Sequence, residues 1–216
     1  MKFENTRRLT GFVTEEGANS VSHGLGLIAS LAATPVLLLT AAKTGSTSAL
    51  VGASVFAASM VSLYLASTLY HALPENRGKR IFRLLDHSAI FLLIAGTYTP
   101  FTLGILRGPW GWTLLSVIWI LALAGLLLKA YPATRYSKAT IILYVAMGWL
   151  SLVATRPILT QVPRFGVLLI IAGGLAYTSG LVFYAMHRLR FNHFIWHLFV
   201  MVGTACHFFA VLWYSK

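Results

Sequence analysis

Seven long apolar runs, separated by short polar breaks, occupy nearly the whole chain: residues 18–42, 48–73, 84–106, 110–130, 138–156, 165–187 and 192–214. Each lies close to the ~20 residues that a helix needs to cross the hydrocarbon core of a bilayer. The breaks carry loop punctuation: "LPENRGKR" (73–80), "RGPWG" (107–111), "KAYPATRYSK" (129–138), "RPILTQVPR" (156–164) and "RLRFN" (188–192). The fifth run is short, and Pro157 is expected to close it. The first run follows a polar start that includes Glu15 and Glu16, unlike a signal peptide, so it is read as a helix that stays in the protein. The pattern predicts an all-α membrane protein, with a short cytoplasmic segment at 1–17 and a seven-helix transmembrane domain at 18–216. No internal repeat, linker or low-complexity segment interrupts it.

Composition agrees: of 216 residues, 57% are hydrophobic and only 10% charged. A soluble domain carries roughly a quarter charged residues. The net charge of +12 is that of a nucleic-acid binder, but the cations sit in short loops between apolar runs, where membrane topology explains them. No nucleic-acid partner is therefore expected. Of the 17 Lys and Arg residues, only Lys43, Arg107, Arg156, Arg164 and Lys216 fall on one side of the seven runs. Lys2, Arg7, Arg8, Arg77, Lys79, Arg80, Arg83, Lys129, Arg135, Lys138, Arg188 and Arg190 fall on the other. The positive-inside rule then puts the N-terminus in the cytoplasm and the C-terminus outside. Trp110, Trp112, Tyr131, Tyr136 and Trp213 lie near span ends and read as interfacial anchors. Ser22, Gly26 and Ser30, and then Ala172, Ala176 and Gly180, form small-residue ridges suited to close helix packing. The single Cys206 excludes an intramolecular disulfide and reads as a small core residue.

Ionisable groups within a bilayer are costly, and by default they mark function. Here they gather in one layer. Glu16 and His23 open the first span, His71 ends the second, Asp86 and His87 open the third, His187 closes the sixth, and His193 and His197 open the seventh. With the orientation above, that layer faces the cytoplasm. Positions four apart share a helix face, so His193 and His197 can aim at one point, and Ser67 lies one turn from His71. Three histidines from two helices with a carboxylate nearby make the ligand set of a catalytic zinc site, which leaves its fourth position to water. Imidazole suits zinc, copper, iron and nickel alike. Two histidines on one helix more often only hydrogen-bond to neighbours; the coincidence of His71, Asp86 and the pair at one depth argues for the site. His87 is turned away from Asp86 and reads as a packing residue, and His187 as an interfacial one. His207 lies about 15 Å deeper by helix rise and reads as a hydrogen-bonded core residue. His23 shares a face with Asn19; the two read either as supports or substrate contacts of the site, or as a structural hydrogen-bonding pair.

The stretches "EEGANSVSHGLG", "LASTLYHALPENRGKRIFRLLDHSAIFLLIAGTYTPF" and "NHFIWHLFVMVGTACHF" resemble the hemolysin III family. Its members are bacterial relatives of the progestin and adipoQ receptors, which include adiponectin receptors and, more distantly, alkaline ceramidases. The likeness runs from about residue 15 to the C-terminus, with every motif in order. It implies a multi-pass protein of the bacterial inner membrane with a zinc ion on His71, His193 and His197. It also implies that Ser67 and Asp86 belong to the same site, the aspartate acting through a zinc-bound water. The receptors' long N-terminal extension has no counterpart here, so no extracellular protein ligand is implied.

The mechanism expected from these residues is hydrolysis of a membrane lipid amide or ester. Zinc lowers the pKa of its bound water to about 7, Asp86 takes the water's proton as general base, and Ser67 hydrogen-bonds the water, Asp86 or the substrate. HExxH is absent, since Phe194, Ile195 and Trp196 separate the pair, which argues against a zincin-type protease. The rival reading is a membrane-homeostasis sensor or receptor-like module stapled by a structural zinc with Asp86 as fourth ligand. A cytolysin fits seven resident apolar helices poorly. A transporter calls for helices broken at the midplane, for which Pro35 and Pro100 are the interior candidates.

Overall fold

The computed structural model describes residues 14–134 and 137–216. Most of the expected N-terminal segment, with Lys2, Arg7 and Arg8, lies outside the described residues, as do Arg135 and Tyr136. The described residues form helices throughout: α1 (Glu15–Ala42), α2 (Thr47–Ala72), α3 (Arg77–Leu103), α4 (Pro109–Ala130), α5 (Lys138–Gly148), a 3-10 segment (Leu150–Ala154), α6 (Thr155–Gln161), α7 (Arg164–Ala185) and α8 (Asn192–Tyr214). Seven elements are long and apolar enough to cross a membrane, with α5, the 3-10 segment and α6 together making the fifth.

Local chemistry sets the boundaries. The side chains of Thr14, Ser46 and Asn76 accept from the Gly17, Ala49 and Lys79 backbone N–H groups, capping α1, α2 and α3. The Asn76 cap starts α3 seven residues before the expected 84, because its first two turns are the polar "RGKRIFR", which hydropathy reads as loop. Pro157 does not close the fifth span. It sits in the first turn of α6, where a proline costs no helical hydrogen bond, and the span runs on to Gln161. The break comes earlier, at the 3-10 segment. There the Tyr98 hydroxyl on α3 donates to the carbonyl oxygens of Met147 (2.9 Å) and Gly148 (3.1 Å) and accepts from the Ser151 N–H (3.0 Å). Lipid offers no partner for backbone groups released by a break, so an internal one is required. α1 and α3 run through Pro35 and Pro100 without interruption.

Between helices in lipid, close packing replaces the hydrophobic driving force, so small residues mark the contacts. A Cβ on Gly26 would stand 2.7 Å from the Tyr64 ring of α2, and one on Gly52 2.8 Å from the Pro100 Cα of α3. Ser22, Gly26 and Ser30 are all buried, as the first ridge requires. The ridge on α7 is different: Ala172 is exposed, and Gly173 takes its place against His207, followed by Ala176 and Gly180. The pleat-free helix period places Gly173, Ala176 and Gly180 on one stripe. α2 packs between α1 and α3, and α8 against α1, α3 and α7. Trp110, Trp112, Tyr131 and Trp213 are exposed near helix ends. One end of the bundle, where α1, α3, α5 and α8 begin and α2, α4 and α7 end, collects the polar residues.

Candidate metal centre

His71 comes from the last turn of α2, and His193 and His197 come from the first two turns of α8. Each offers one ligand atom, and the three atoms lie within 4.8 Å of one another. The rings meet edge to face around a common point. Their centroids are 4.9 Å apart for His71 and His193, 5.0 Å for His71 and His197, and 4.7 Å for His193 and His197, at interplanar angles of 76°, 72° and 76°.

Hydrogen bonds settle which nitrogen is presented. His71 Nδ1 donates to Glu16 Oε2 (3.2 Å), and His197 Nδ1 donates to the Asn19 carbonyl oxygen (3.2 Å), with Ser22 Oγ 3.3 Å away. Neither a carboxylate nor a carbonyl oxygen can donate, so the protons sit on Nδ1 and both Nε2 atoms carry free lone pairs. His71 Nε2 is buried without any hydrogen-bond partner. A buried imidazole nitrogen left unpaired costs about 1–3 kcal/mol. Converging imidazoles, two of them neutral with their lone pairs inward and held from behind by an oxygen acceptor, suit a divalent metal such as zinc. The residues present therefore fit a zinc ion.

The first turn of α1 holds both ligand-bearing helices. Glu16 Oε2 also accepts from Lys79 Nζ (2.8 Å), which donates in addition to the Leu73 carbonyl (3.3 Å) at the end of α2. Glu15 Oε1 accepts from the His193 backbone N–H (3.1 Å), one of the open donors at the start of α8. Phe191, at φ 61°, turns the chain into α8 through the left-handed region, and Asn192 Nδ2 donates back to the Tyr184 carbonyl of α7 (2.9 Å). The sequence puts Glu16 in the right layer but assigns it no partner, marks Ser22 only as a packing-ridge residue, and gives Glu15 and Lys79 no signal beyond their depth and charge.

Behind the rings, His23 stacks on His197 with centroids 3.5 Å apart and planes 5° from parallel. His23 Nδ1 lies 2.7 Å from Ser67 Oγ, and Ser67 hydrogen-bonds the Asp86 carboxylate. Ser67 is fully enclosed and Asp86 is buried. Asn19 meets His197 through its backbone carbonyl, while its Oδ1 and His23 Nε2 are buried without partners. Among the described residues, the group of mutually close ligand atoms comprises the three histidines alone. Asp86 is not among them; it lines a cavity of about 460 Å³ together with His23, His87, His193 and His197. The cavity extends between α3, α5 and α7 to His207, whose ring stacks on Tyr177 at 5.5 Å, far from the three-histidine group along α8. His187 is exposed beyond the end of α7.

Residues 12–208 match the family described as "Haemolysin-III related". The chain is 48% identical to Hemolysin-3 of Bacillus cereus over 211 residues, covering 98% of this chain and 96% of that protein. It is 42% identical to the Hemolysin-3 homolog of Bacillus subtilis, covering 94% and 95%. It is 27% identical to the human monocyte to macrophage differentiation factor, covering 73% of this chain and 67% of that protein.

Proposed function

The chain belongs to the haemolysin-III-related family of seven-helix membrane proteins, and from that premise we propose that it is a zinc-dependent hydrolase of membrane lipid amides or esters. His71, His193 and His197 hold the zinc. The site lies at the cytoplasmic face of the bacterial inner membrane, with the N-terminus inside. The observation that carries this reading is three converging imidazoles that Asp86 does not join, with Asp86 lining a largely apolar cavity that His193 and His197 also line. A structural zinc is usually closed by four protein ligands, whereas a catalytic one keeps a position open.

Zinc, when bound, supplies a Lewis acid that polarises a carbonyl oxygen and acidifies water at neutral pH. The chain's own groups do the rest. The cavity, lined by Ile90, Ile94 and Val200, has the volume and apolar wall to admit an acyl chain. Asp86 accepts the proton of the attacking water on a carboxylate oxygen. Ser67 donates its hydroxyl proton to that carboxylate and accepts from His23 Nδ1–H, so the pair hold Asp86 in one orientation. His23, stacked on His197, also fixes the plane of a ligand ring. The name hemolysin belongs to the Bacillus relatives.

Asp86→Asn tests the assignment. Hydrolysis of a broad lipid panel by purified protein should fall by several orders of magnitude, while metal analysis still finds about one zinc per chain. Unchanged turnover in this variant refutes the mechanism. No turnover by the unaltered, zinc-loaded protein on any lipid favours the sensor.

A further inference from the structure

His207 lies within the last span, about 15 Å beyond His197 by helix rise, and takes no part in the metal centre. An ionisable group at that depth is costly and by default marks function. Sequence alone reads it as a hydrogen-bonded core residue. The structure gives it a stacked ring instead: Tyr177 of α7 faces it, with centroids 5.5 Å apart and planes 18° from parallel. A Cβ on Gly173 would stand 2.6 Å from His207 Nε2, so the missing side chain is what lets the imidazole lie against α7. Among the described residues, the ring has this aromatic contact and no hydrogen bond. It also lines the cavity.

The other polar groups deep in the lining have their hydrogens committed. Thr97, Thr102 and Thr178 donate to the carbonyls of Ile94, Tyr98 and Gly174 on their own helices. Trp149 Nε1 donates to Thr178 Oγ1 (3.0 Å), and the Tyr98 hydroxyl is engaged at the 3-10 segment. Thr204 Oγ1 donates to the Val200 carbonyl, so Tyr177 is the donor in its 3.0 Å bond to Thr204. His207 differs from all of these. An imidazole carries at least one N–H, and the neutral ring adds an acceptor. Leaving such a group unpaired in an apolar lining costs about 1–3 kcal/mol. α7 and α8 contain no Asp or Glu, so no carboxylate of either helix pairs with the ring.

We propose that His207 is a specificity residue that hydrogen-bonds a hydroxyl on the acyl chain of a lipid held in the cavity. The assignment rests on the reading of the cavity as a lipid site, and it names the substrate class: lipids whose acyl chain is hydroxylated near its middle. The spacing sets the position. With the acyl carbonyl at the metal centre, about 15 Å of extended chain, at about 1.25 Å per carbon–carbon bond, places the hydroxyl about 12 carbons along. A hydroxyl both donates and accepts, so it suits an imidazole in either tautomer. A charged chain group fits poorly, because burying an ion without a partner costs several kcal/mol. Tyr177 and Gly173 fix the plane of the ring before any ligand arrives, which lowers the cost of binding.

The test uses stearate, 12-hydroxystearate and 6-hydroxystearate, bound to the full-length zinc-loaded protein in detergent. Trp149 and Trp196 line the cavity, so tryptophan fluorescence follows the binding. None of the probes has an amide or ester bond, so the result is independent of turnover. Failure of the hydrolase reading would show as absent catalysis with the chain preference intact. The quantity read is the ratio of the dissociation constants of the hydroxy acid and stearate, compared between the unaltered protein and each variant, because partition of the probes into micelles then cancels. In His207→Leu the ratio for 12-hydroxystearate should move toward stearate by at least about fivefold, or about 1 kcal/mol. His207→Phe keeps an aromatic ring on Tyr177 and should give the same shift, which preserves the test if the leucine variant does not fold. His207→Gln and Cys206→Ala should each stay within about twofold of the unaltered protein, and 6-hydroxystearate should show no shift in any variant. An unchanged ratio in the leucine and phenylalanine variants, an equal shift for 6-hydroxystearate, or no binding of stearate by the unaltered protein overturns the proposal.

Discussion

The second and fifth spans are built to opposite specifications. α2 buries Gly52, Ala53, Phe56, Ala57, Ser59, Met60, Leu63, Tyr64, Ala66, Ser67 and His71, on faces turned to both α1 and α3. α5 buries only Thr140 and Met147, breaks into a 3-10 turn, and borrows the Tyr98 hydroxyl to satisfy its freed backbone groups. The difference teaches how a membrane bundle combines a precise site with an accessible cavity. Ligands that must meet within tenths of an ångström are carried by closely packed helices, and the lightly packed fifth span forms the opposite wall of the cavity.

The largest effect is expected at the ligands. His197→Ala removes one imidazole and opens a gap beside the Asn19 carbonyl and the His23 ring, so zinc should fall from about one per chain to background in metal analysis, with a clearly lower unfolding temperature. Glu16→Ala should be milder. His71 keeps its place on α2 but loses the acceptor that fixes its Nδ1 proton, and zinc affinity measured by chelator competition should drop about 10–100-fold. Retained affinity in this variant would mean that α1 does not set the ligand geometry.

A pair of glycines sharpens the contrast without touching the site. Gly52→Ala pushes a methyl group against the backbone of Pro100, which cannot move aside as a side chain could, and should cost about 1–3 kcal/mol in unfolding measurements. Gly148→Ala, at the end of α5, meets open space and should change stability by less than about 1 kcal/mol in either direction. Equal costs at the two positions would contradict the division into a tight body and a loose wall.

Much of this was legible in the sequence. Hydropathy located all seven spans, because length and apolarity are what the bilayer selects. It misplaced the start of α3, whose first turns are polar, and the end of the fifth span, since Pro157 reads as a stop although it begins a helical segment. Helical spacing of four pointed to His193 and His197 sharing a face, and depth brought in His71 and Asp86. The supporting contacts of Glu15, Glu16, Ser22 and Lys79 depend on which faces of α1, α2 and α8 meet, and that is decided by glycine contacts spread over the whole chain. Ala172 shows the same limit: small-residue spacing identified a ridge, and one position of rotation moved it to Gly173.

X-ray absorption at the zinc edge of the detergent-purified protein tests the central claim most directly. The account predicts about one zinc per chain with three nitrogen neighbours at about 2.0–2.1 Å and a single oxygen completing the shell. A protein that takes up no zinc, or whose first shell lacks three imidazole nitrogens, would contradict it.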